Sequence, residues 1–365
     1  MRKLFKFRLP WGLDWPLFII PIFLAFWGIV FIFSVAHTTN PGLTLSQIIF
    51  SILGIIVMVS LALFDYRNLR GISLVLYLIL VLLLIAVLFI GNRAFGASRW
   101  INLKIFQLQP SEIGKLILVL FLARFFADNT QINWKKILQI ILIVGLPVAL
   151  ILLQPDFGTA MVFIASTLAL LFFSKTKKFV LAIIVVAMLV AAPIGWKYFL
   201  KPYQKQRVYT FINPASDPYG SGYNVTQAKI TVGSGGLWGA GIGQGTQIQL
   251  NFLPVAHSDF IFATIAESVG LVGSTILILI FILLGTRAIN VAKVSKDYFG
   301  YYFAIGWGVT LLFQVFVNIG MNIGLMPVTG IPLPFMSSGG TSMLTNMAAI
   351  GILQSIYLRH RKITF

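Results

Sequence analysis

The chain has 365 residues, is 58% hydrophobic and carries charged side chains at only 10% of its positions, with a net charge of +18. A soluble domain of this size would need far more charge to cover its surface, so the composition excludes an ordinary soluble protein. Cysteine is absent and the three histidines are scattered, which excludes disulfides, thiolate nucleophiles and a metal site built from cysteine or closely spaced histidines.

Apolar runs near the length of a bilayer span recur along the whole chain and predict a polytopic membrane protein. Lipid offers no partner for backbone groups and the runs are continuous rather than alternating, so the spans should be helices and not barrel strands. The predicted fold class is therefore all-α, with residues 1–365 forming one membrane domain of about ten transmembrane helices. The predicted spans are 16–36, 45–64, 72–91, 111–127, 136–153, 157–173, 179–199, 258–285, 299–324 and 339–358.

The N-terminal basic cluster and the apolar run after it resemble a signal peptide, but the run is long and lacks a convincing cleavage site, which favours a retained anchor. Ten spans place both termini on one side, and the positive-inside rule makes that side cytoplasmic. The basic charge then indicates topology and contact with anionic lipid rather than nucleic-acid binding. The basic residues on the predicted inner side, 18 of 27, are Arg2, Lys3, Lys6, Arg8, Arg67, Arg70, Arg124, Lys135, Lys136, Lys175, Lys177, Lys178, Arg287, Lys293, Lys296, Arg359, Arg361 and Lys362.

A large extracytoplasmic loop, residues 200–258, is predicted between the seventh and eighth spans. Loops of this length are usually functional or disordered, and this one is rich in glycine, proline, asparagine and aromatic residues. Its apolar patches could dip into the membrane or lie along its surface. The glycine run 233–245 looks like a phosphate loop, but it follows no strand and lacks the Gly-Lys-Ser/Thr ending, so a flexible or re-entrant loop is the better interpretation.

Only nine acids occur in the chain, and an acid in or beside a membrane is a functional hypothesis by default. Four of them, Asp14, Asp65, Asp128 and Asp297, fall at predicted cytoplasmic ends beside basic residues and are interpreted as surface charge balance. The other five fall at the predicted outer side, so a carboxylate that does acid–base chemistry there must be one of these five. They are Glu112, Asp156, Asp217, Asp259 and Glu267.

Asp259 lies at the start of the eighth span, next to His257 and Ser258. It could simply cap the helix, where an acid is favourable. The meeting of Asp, His and Ser beside an apolar wall also suits a general base with a raised pKa. Glu267 is eight residues further on, about 80° around the helix, and is interpreted as a cavity or helix-packing residue.

The remaining outer acids have structural and functional interpretations that the residues alone leave open. Asp156 follows Pro155 at the start of a span, where it could cap the helix or face a cavity. Glu112 and Lys115 are three residues apart on one helix face and could form a structural ion pair or line a polar cavity that orients a phosphate. Asp217 fits a turn before Pro218.

Several motifs together resemble the SEDS proteins (shape, elongation, division and sporulation), the family of RodA, FtsW and SpoVE. The longest begins at Asn318 and continues through the segment from Gly324 to Ser342, which contains Pro327, Gly330, Pro332 and Pro334. Other matching segments follow the family's order, and some of them favour the elongation member RodA over the division member FtsW. These segments are 65–67, 96–101, 109–112, 154–156, 245–250 and 252–260.

The resemblance implies a multi-pass protein of the bacterial plasma membrane that polymerises lipid II into glycan strands on the outer face during cell elongation. It implies that Asp259 is the catalytic aspartate and that Glu112, Lys115 and Asp156 line the cavity. The expected partners are lipid II, the nascent glycan strand, a class B penicillin-binding protein and other membrane proteins of the elongation complex.

The resemblance leads to a hypothesis for the chemistry. Asp259 would deprotonate the 4-hydroxyl of the acceptor, which attacks the donor's anomeric carbon and inverts it. Arg99, Lys115 or a divalent cation, Mg²⁺ or Mn²⁺ with Asp259 as one ligand, could offset the charge of the departing pyrophosphate. Two alternatives are a flippase that transports lipid II and a non-catalytic scaffold for the penicillin-binding protein.

Overall fold

The computed structural model describes residues 12–36, 40–94, 97–102, 107–129, 131–198, 202–218, 220–250 and 252–360. Several residues named above lie outside these described residues and are not discussed further. They are Arg2, Lys3, Lys6, Arg8, Gly96 of the segment 96–101, Arg361 and Lys362.

A helix covers each of the ten apolar segments named above. These helices are α1 (Trp15–Ala36), α2 (Pro41–Leu63), α3 (Tyr66–Ile90), α4 (Pro110–Asp128), α5 (Trp134–Leu153), α6 (Phe157–Phe173), α7 (Lys178–Tyr198), α11 (Ile261–Val294), α12 (Tyr298–Asn322) and α13 (Gly340–Leu358). Among the described residues, six of them, α1, α2, α3, α5, α11 and α12, are long and apolar enough to cross a membrane. The chain is therefore a multi-pass membrane protein.

The more polar helices lie at the centre of the bundle. Helices α4 and α13 are buried along most of their length, including polar residues such as Thr345 and Gln354. Helices α2, α3 and α5 instead expose large apolar side chains such as Leu82. Lipid is as apolar as a protein core, so apolar side chains gain nothing by leaving it. Polar side chains find no hydrogen-bond partners in lipid and must find them inside the helix bundle.

A small antiparallel sheet lies between α3 and α4, which corrects the purely helical prediction. Its strands are β1 (Asn92–Ala94), β2 (Ala97–Asn102) and β3 (Gln107–Leu108), in the order β1-β2-β3. The residue pairs include Asn92 with Trp100 and Ile101 with Leu108. The strands are too short to produce the alternating pattern by which a sequence reveals a strand.

The segment between α7 and α11 is also more regular than the sequence predicted. It contains helices α8 (Pro202–Ile212), α9 (Ser221–Ser234) and α10 (Thr246–Gln249), with a 3-10 turn at Pro214–Ser216. Helix α9 buries Val225, Ala228 and Thr231, which are three residues apart and therefore share one face. This face allows α9 to pack on α11 instead of remaining in solvent.

The glycine run 233–245 is fixed to α11 by backbone hydrogen bonds, which does not fit a flexible loop. The N–H of Ala240 donates to the Glu267 carbonyl at 2.9 Å, and the N–H of Leu271 donates to the Gly236 carbonyl at 2.9 Å. Helix α11 bends at Gly270, where φ is +68° and a Cβ atom would lie 2.4 Å from the Gly239 nitrogen. Only glycine fits this close approach.

The four acids assigned to surface charge balance each lie beside a basic side chain. Most of these pairs are partly exposed and contribute little to stability, but each of the four acids has a basic neighbour. The pairs are Asp14 with Arg287 at 3.9 Å, Asp65 with Arg359 at 3.5 Å, Asp128 with Arg124 at 3.5 Å and Asp297 with Arg67 at 3.5 Å.

Candidate active site

Asp259 lies in an irregular segment, residues 252–260, that precedes α11. The helix begins at Ile261 and its N-cap is Phe260, so the predicted span starting at residue 258 begins three residues too early. Its N-cap residue makes no side-chain hydrogen bond to the first turn, and the Ala263 N–H there donates to Asn322 and not to Asp259. The capping interpretation of Asp259 therefore does not account for its position.

Three consecutive backbone carbonyls hold this segment in place, and all their donors come from residues 318–338. The His257 carbonyl accepts from the Ser338 N–H at 2.9 Å, and the Ser258 carbonyl accepts from the Ser337 hydroxyl at 2.7 Å. The Asp259 carbonyl accepts from the side-chain amides of Asn318 at 3.0 Å and Asn322 at 3.1 Å. We call this set of bonds the carbonyl clamp.

The same amides connect the clamp to the surrounding structure. Asn318 also donates to the Ile331 carbonyl at 2.8 Å, and the side-chain oxygen of Asn322 accepts from the Ala263 N–H at 3.1 Å. Both asparagines are fully buried on α12. Because a buried amide without a partner is costly, these bonds fix the backbone of Asp259 relative to α12.

The Asp259 carboxylate faces a small set of polar groups. Its Oδ1 accepts from the Ser258 hydroxyl at 3.2 Å. Gly330 passes close to Oδ2, because a Cβ atom built on this glycine would lie 3.4 Å from it. Gly330 has a φ of +75°, a conformation that other residues rarely adopt, so glycine keeps this side of the carboxylate open.

The pKa of Asp259 is raised above its ordinary value, chiefly because burial disfavours the charged form. The Ser258 hydrogen bond and the positive charges of Arg99 and Arg207 act in the opposite direction, and the negative charge of Asp156 adds to the rise. Arg99, Arg207 and Asp156 are therefore close enough to act electrostatically on this carboxylate. A raised pKa suits a group that must accept a proton near neutral pH.

His257 contributes its backbone to the clamp. Burial lowers the pKa of its imidazole, which favours the neutral form. Within the described ranges, no hydrogen bond joins this imidazole to the Asp259 carboxylate.

Asp156 caps α6 and also accepts hydrogen bonds from residues at the start of α4. It is the N-cap of α6 and accepts from the Thr159 N–H at 3.2 Å and the Thr159 hydroxyl at 2.9 Å. Its Oδ2 also accepts from the Ser111 hydroxyl at 3.2 Å and the Gln109 amide at 3.3 Å, at the start of α4. The carboxylate is buried and close to Asp259, so the capping and site interpretations are compatible.

Arg99 projects from strand β2 toward the turn before α6. Its Nε donates to the Gln154 carbonyl at 3.2 Å, and its Nη2 donates to the Pro155 carbonyl. These bonds hold the guanidinium beside Asp156, and because the carbonyls are neutral they do not cancel the positive charge of Arg99.

Glu112 and Lys115 form a buried ion pair on α4. The Lys115 Nζ lies 2.7 Å from Glu112 Oε2 and donates to Gln314 Oε1 on α12 at 2.7 Å. Each of the two charged residues is only 2% exposed. Both side chains therefore find their partners inside the bundle, and the ammonium group of Lys115 is already paired with the Glu112 carboxylate.

Glu267 lies apart from this group. Its Oε1 accepts from the Gln247 N–H at 2.9 Å and the Ser234 hydroxyl at 3.4 Å, so it contacts α9 and α10. The residue is 1% exposed and Gly245 packs against its carboxylate. These contacts fit the helix-packing interpretation rather than the cavity interpretation.

A divalent cation was one expected means of charge neutralisation, with Asp259 as a ligand. In the part of the chain that the structure describes, no group of three or more His, Asp and Glu side chains could hold a metal ion. Asp156 and Asp259 lie near each other, but Asp156 already accepts four hydrogen bonds and two guanidiniums lie nearby. The described donors therefore do not fit a resident metal.

Sequence reasoning missed two parts of this site. Asn318 was recognised as the start of a motif, but its structural role was not, because its acceptor is 59 residues away in sequence. Arg207 was not singled out, since one arginine in a long basic loop carries no signal by itself. The asparagines in an otherwise apolar helix were the one indication available, because a buried amide needs a partner.

Comparisons with known proteins identify the family to which the chain is similar. The FtsW/RodA/SpoVE family model, described as cell cycle protein, matches residues 14–362. The peptidoglycan glycosyltransferase MrdB of Escherichia coli K12 is 42% identical over 311 residues, which cover 85% of this chain and 84% of MrdB. The probable peptidoglycan glycosyltransferase FtsW of Allochromatium vinosum is 34% identical over 373 residues, which cover 98% of this chain and 93% of that protein.

Two solved structures have the same fold. A chain from a peptidoglycan synthase complex that coordinates polymerization and crosslinking aligns with a TM-score of 0.83 at 29% identity, covering 97% of this chain and 100% of that one. The rod shape determining protein RodA of Thermus thermophilus aligns with a TM-score of 0.71 at 26% identity, covering 97% of this chain and 99% of that one.

The buried ion pair on α4 yields a stability prediction. Lys115→Met should lower the free energy of unfolding by about 3–5 kcal/mol, because it leaves Glu112 as an uncompensated buried charge. The double variant Glu112→Gln/Lys115→Met should recover most of that loss. Unfolding of the purified protein in detergent measures both, with Lys135→Met on the exposed side of α5 as the control. A double variant as unstable as the single one would contradict the prediction.

Proposed function

The chain belongs to the FtsW/RodA/SpoVE family of cell cycle proteins. We propose that Asp259 is its catalytic base and that the site around Asp259 works at the outer face of the plasma membrane. The chain is a RodA-like peptidoglycan glycosyltransferase that polymerises peptidoglycan in cell elongation, as the naming of MrdB and the match to RodA indicate. The single observation that carries the proposal is the position of Asp259, whose backbone is fixed by the carbonyl clamp and whose carboxylate lies within electrostatic reach of Arg99 and Arg207.

The proposed topology has ten transmembrane helices in one domain, both termini cytoplasmic and residues 200–258 outside. Ten helices at the predicted positions support it. The distribution of charge supports it as well, because basic residues lie beside Asp14, Asp65, Asp128 and Asp297 at one end of the bundle. With short basic segments inside, Asp259 lies at the outer end.

The substrates are a lipid-linked disaccharide donor, lipid II, and an acceptor that is lipid II or the nascent glycan strand. The donor's polyprenyl tail remains in the bilayer while its pyrophosphate lies at the outer interface, at the depth where Asp259 precedes α11. The base and the reacting sugar can therefore meet without moving the lipid out of the membrane.

The reaction is one displacement. The Asp259 carboxylate takes the proton from the acceptor's 4-hydroxyl as its oxygen forms a bond to the donor's anomeric carbon. The bond from that carbon to the pyrophosphate oxygen breaks, and polyprenyl pyrophosphate leaves with the electron pair. The anomeric centre inverts, no covalent enzyme intermediate forms, and Asp259 later releases its proton to water.

Arg99 is the best of the earlier candidates for stabilising the leaving group. The positive charge of Lys115 is matched by Glu112 at 2.7 Å, so it is poorly placed to serve a departing anion. Arg99 is held by neutral carbonyls and its charge acts on Asp259. A preorganised cation at the site of charge development is an effective way to stabilise a transition state.

The proposed partner is a class B penicillin-binding protein that cross-links the new strands, together with other membrane proteins of the elongation complex. The similarity to a chain of a complex that coordinates polymerization and crosslinking supports a crosslinking partner.

Replacement of the proposed base tests the function. Asp259→Asn keeps the size of the side chain but removes its ability to accept a proton, so polymerisation should fall at least ~100-fold. The measurement is glycan strand formation from lipid II by purified protein in detergent, where no transport can occur. Asp217→Asn, in a turn away from the carbonyl clamp, is the matched control and should remain active. Full activity of Asp259→Asn would exclude Asp259 as the base, and an inactive wild type with its partner present would favour a flippase or a scaffold.

The pH profile tests the same residue independently. A base works deprotonated, so activity should be lost as the pH falls through the pKa of Asp259, which burial raises. The acid limb of kcat/KM should therefore lie above the ordinary aspartate value of about 3.9. Because the Arg99 charge lowers this pKa, Arg99→Gln should move the limb to still higher pH. An acid limb at the ordinary value, unmoved by Arg99→Gln, would show that another group sets the profile.

A further inference from the structure

We propose that Arg207 binds the pyrophosphate of the lipid-linked donor from the side opposite Arg99, so that the two guanidiniums form one diphosphate site beside Asp259. This inference rests on the proposed function, because it names the part of the substrate that the second arginine recognises. It also makes α8, in the segment between α7 and α11, a part of the active site.

Arg207 lies on the inward face of α8. Gln204 and Thr210 are buried, and each is three residues from Arg207, so the three side chains share one face of the helix. Gln206 and Tyr209 are exposed on the other side. The arginine is therefore directed toward the protein rather than away from it.

A hydrogen bond places the Arg207 guanidinium near the catalytic carboxylate. Its Nη1 donates to the Val328 carbonyl at 3.0 Å. Val328 is two residues before Gly330, which passes close to Asp259 Oδ2. A guanidinium has five N–H donors, so a bond to a backbone oxygen orients the group while its charge is kept.

Arg99 reaches the same region from a different element. It projects from β2, is fixed by the Gln154 carbonyl, and also acts electrostatically on Asp259. Two guanidiniums, from β2 and from α8, thus act on one carboxylate, and each donates to a backbone carbonyl near it. A salt bridge to stabilise Asp259 would need only one of them.

The chemistry of a diphosphate matches this arrangement. Each phosphoryl group can accept paired hydrogen bonds from one planar guanidinium, which is the geometry arginine favours. Asp156 and Asp259 are both acids and would repel an approaching pyrophosphate, so binding requires more than one cation. The neutral sugars of the acceptor strand have no comparable need for two cations.

The test is direct binding of farnesyl pyrophosphate, a short polyprenyl pyrophosphate, to the purified full chain in detergent, with farnesyl monophosphate as the comparison. Arg207→Ala should weaken binding of the pyrophosphate about tenfold, which corresponds to about 1.4 kcal/mol. Binding of the monophosphate should change less. Arg207→Lys should restore part of the affinity, and Lys205→Ala, which removes a cation from a neighbouring position of α8, should leave it unchanged.

Kinetics give a second readout. Arg207→Ala should raise the KM for lipid II, while the acid limb of its pH profile moves upward because one cation near Asp259 is lost. Unchanged pyrophosphate binding in Arg207→Ala, an equal loss in Lys205→Ala, or no binding to the wild type would overturn the inference. A fall in thermal stability with unchanged affinity would assign Arg207 a structural role only.

The same assay separates this inference from the proposed function. Asp259→Asn should bind farnesyl pyrophosphate at least as tightly as the wild type, because the variant removes a nearby negative charge, while forming no strands. If that variant polymerises lipid II but Arg207→Ala still loses pyrophosphate affinity, the assignment of the base fails and the diphosphate site stands.

Discussion

The carbonyl clamp is the interaction on which the rest of the site depends. Residues 257–259 are too irregular to be positioned by a helix of their own, so their backbone must be fixed from outside. Asn318, Asn322, Ser337 and Ser338 supply the four donors. The longest sequence motif in the chain therefore contributes to the site by holding the backbone of the proposed base, and not by supplying reacting groups.

Burial governs how charge is distributed through the bundle. At one end, acids and bases form partly exposed pairs that contribute little to stability. In the interior, Glu112 and Lys115 compensate each other and Gln314 accepts a further hydrogen bond from Lys115. At the other end, Arg99 and Arg207 each donate to a backbone carbonyl and act electrostatically on Asp259. A cation positioned at the site can stabilise an anionic leaving group, and the transfer of a sugar from a pyrophosphate requires such stabilisation.

The sequence predicted most of the helices because membrane spans have a strong local signal, namely long apolar runs. It also isolated Asp259, since acids are so rare in this chain that each one can be considered separately. It could not predict the carbonyl clamp or the position of Arg207, because both depend on contacts between residues far apart in sequence. The sheet β1–β3 and helices α8 and α9 were missed because short strands and helices with few apolar residues resemble loops. Asp259 was placed within the eighth span, and the structure moves it to the segment before α11.

The most direct test of the central claim is a structure with a non-reactive lipid II analogue and an acceptor disaccharide bound together. We expect the Asp259 carboxylate within about 3.2 Å of the acceptor's 4-hydroxyl oxygen, with that oxygen in line with the donor's anomeric carbon. An acceptor hydroxyl bound to Asp156 or Glu112 instead, with Asp259 beyond hydrogen-bonding reach of either sugar, would contradict the account.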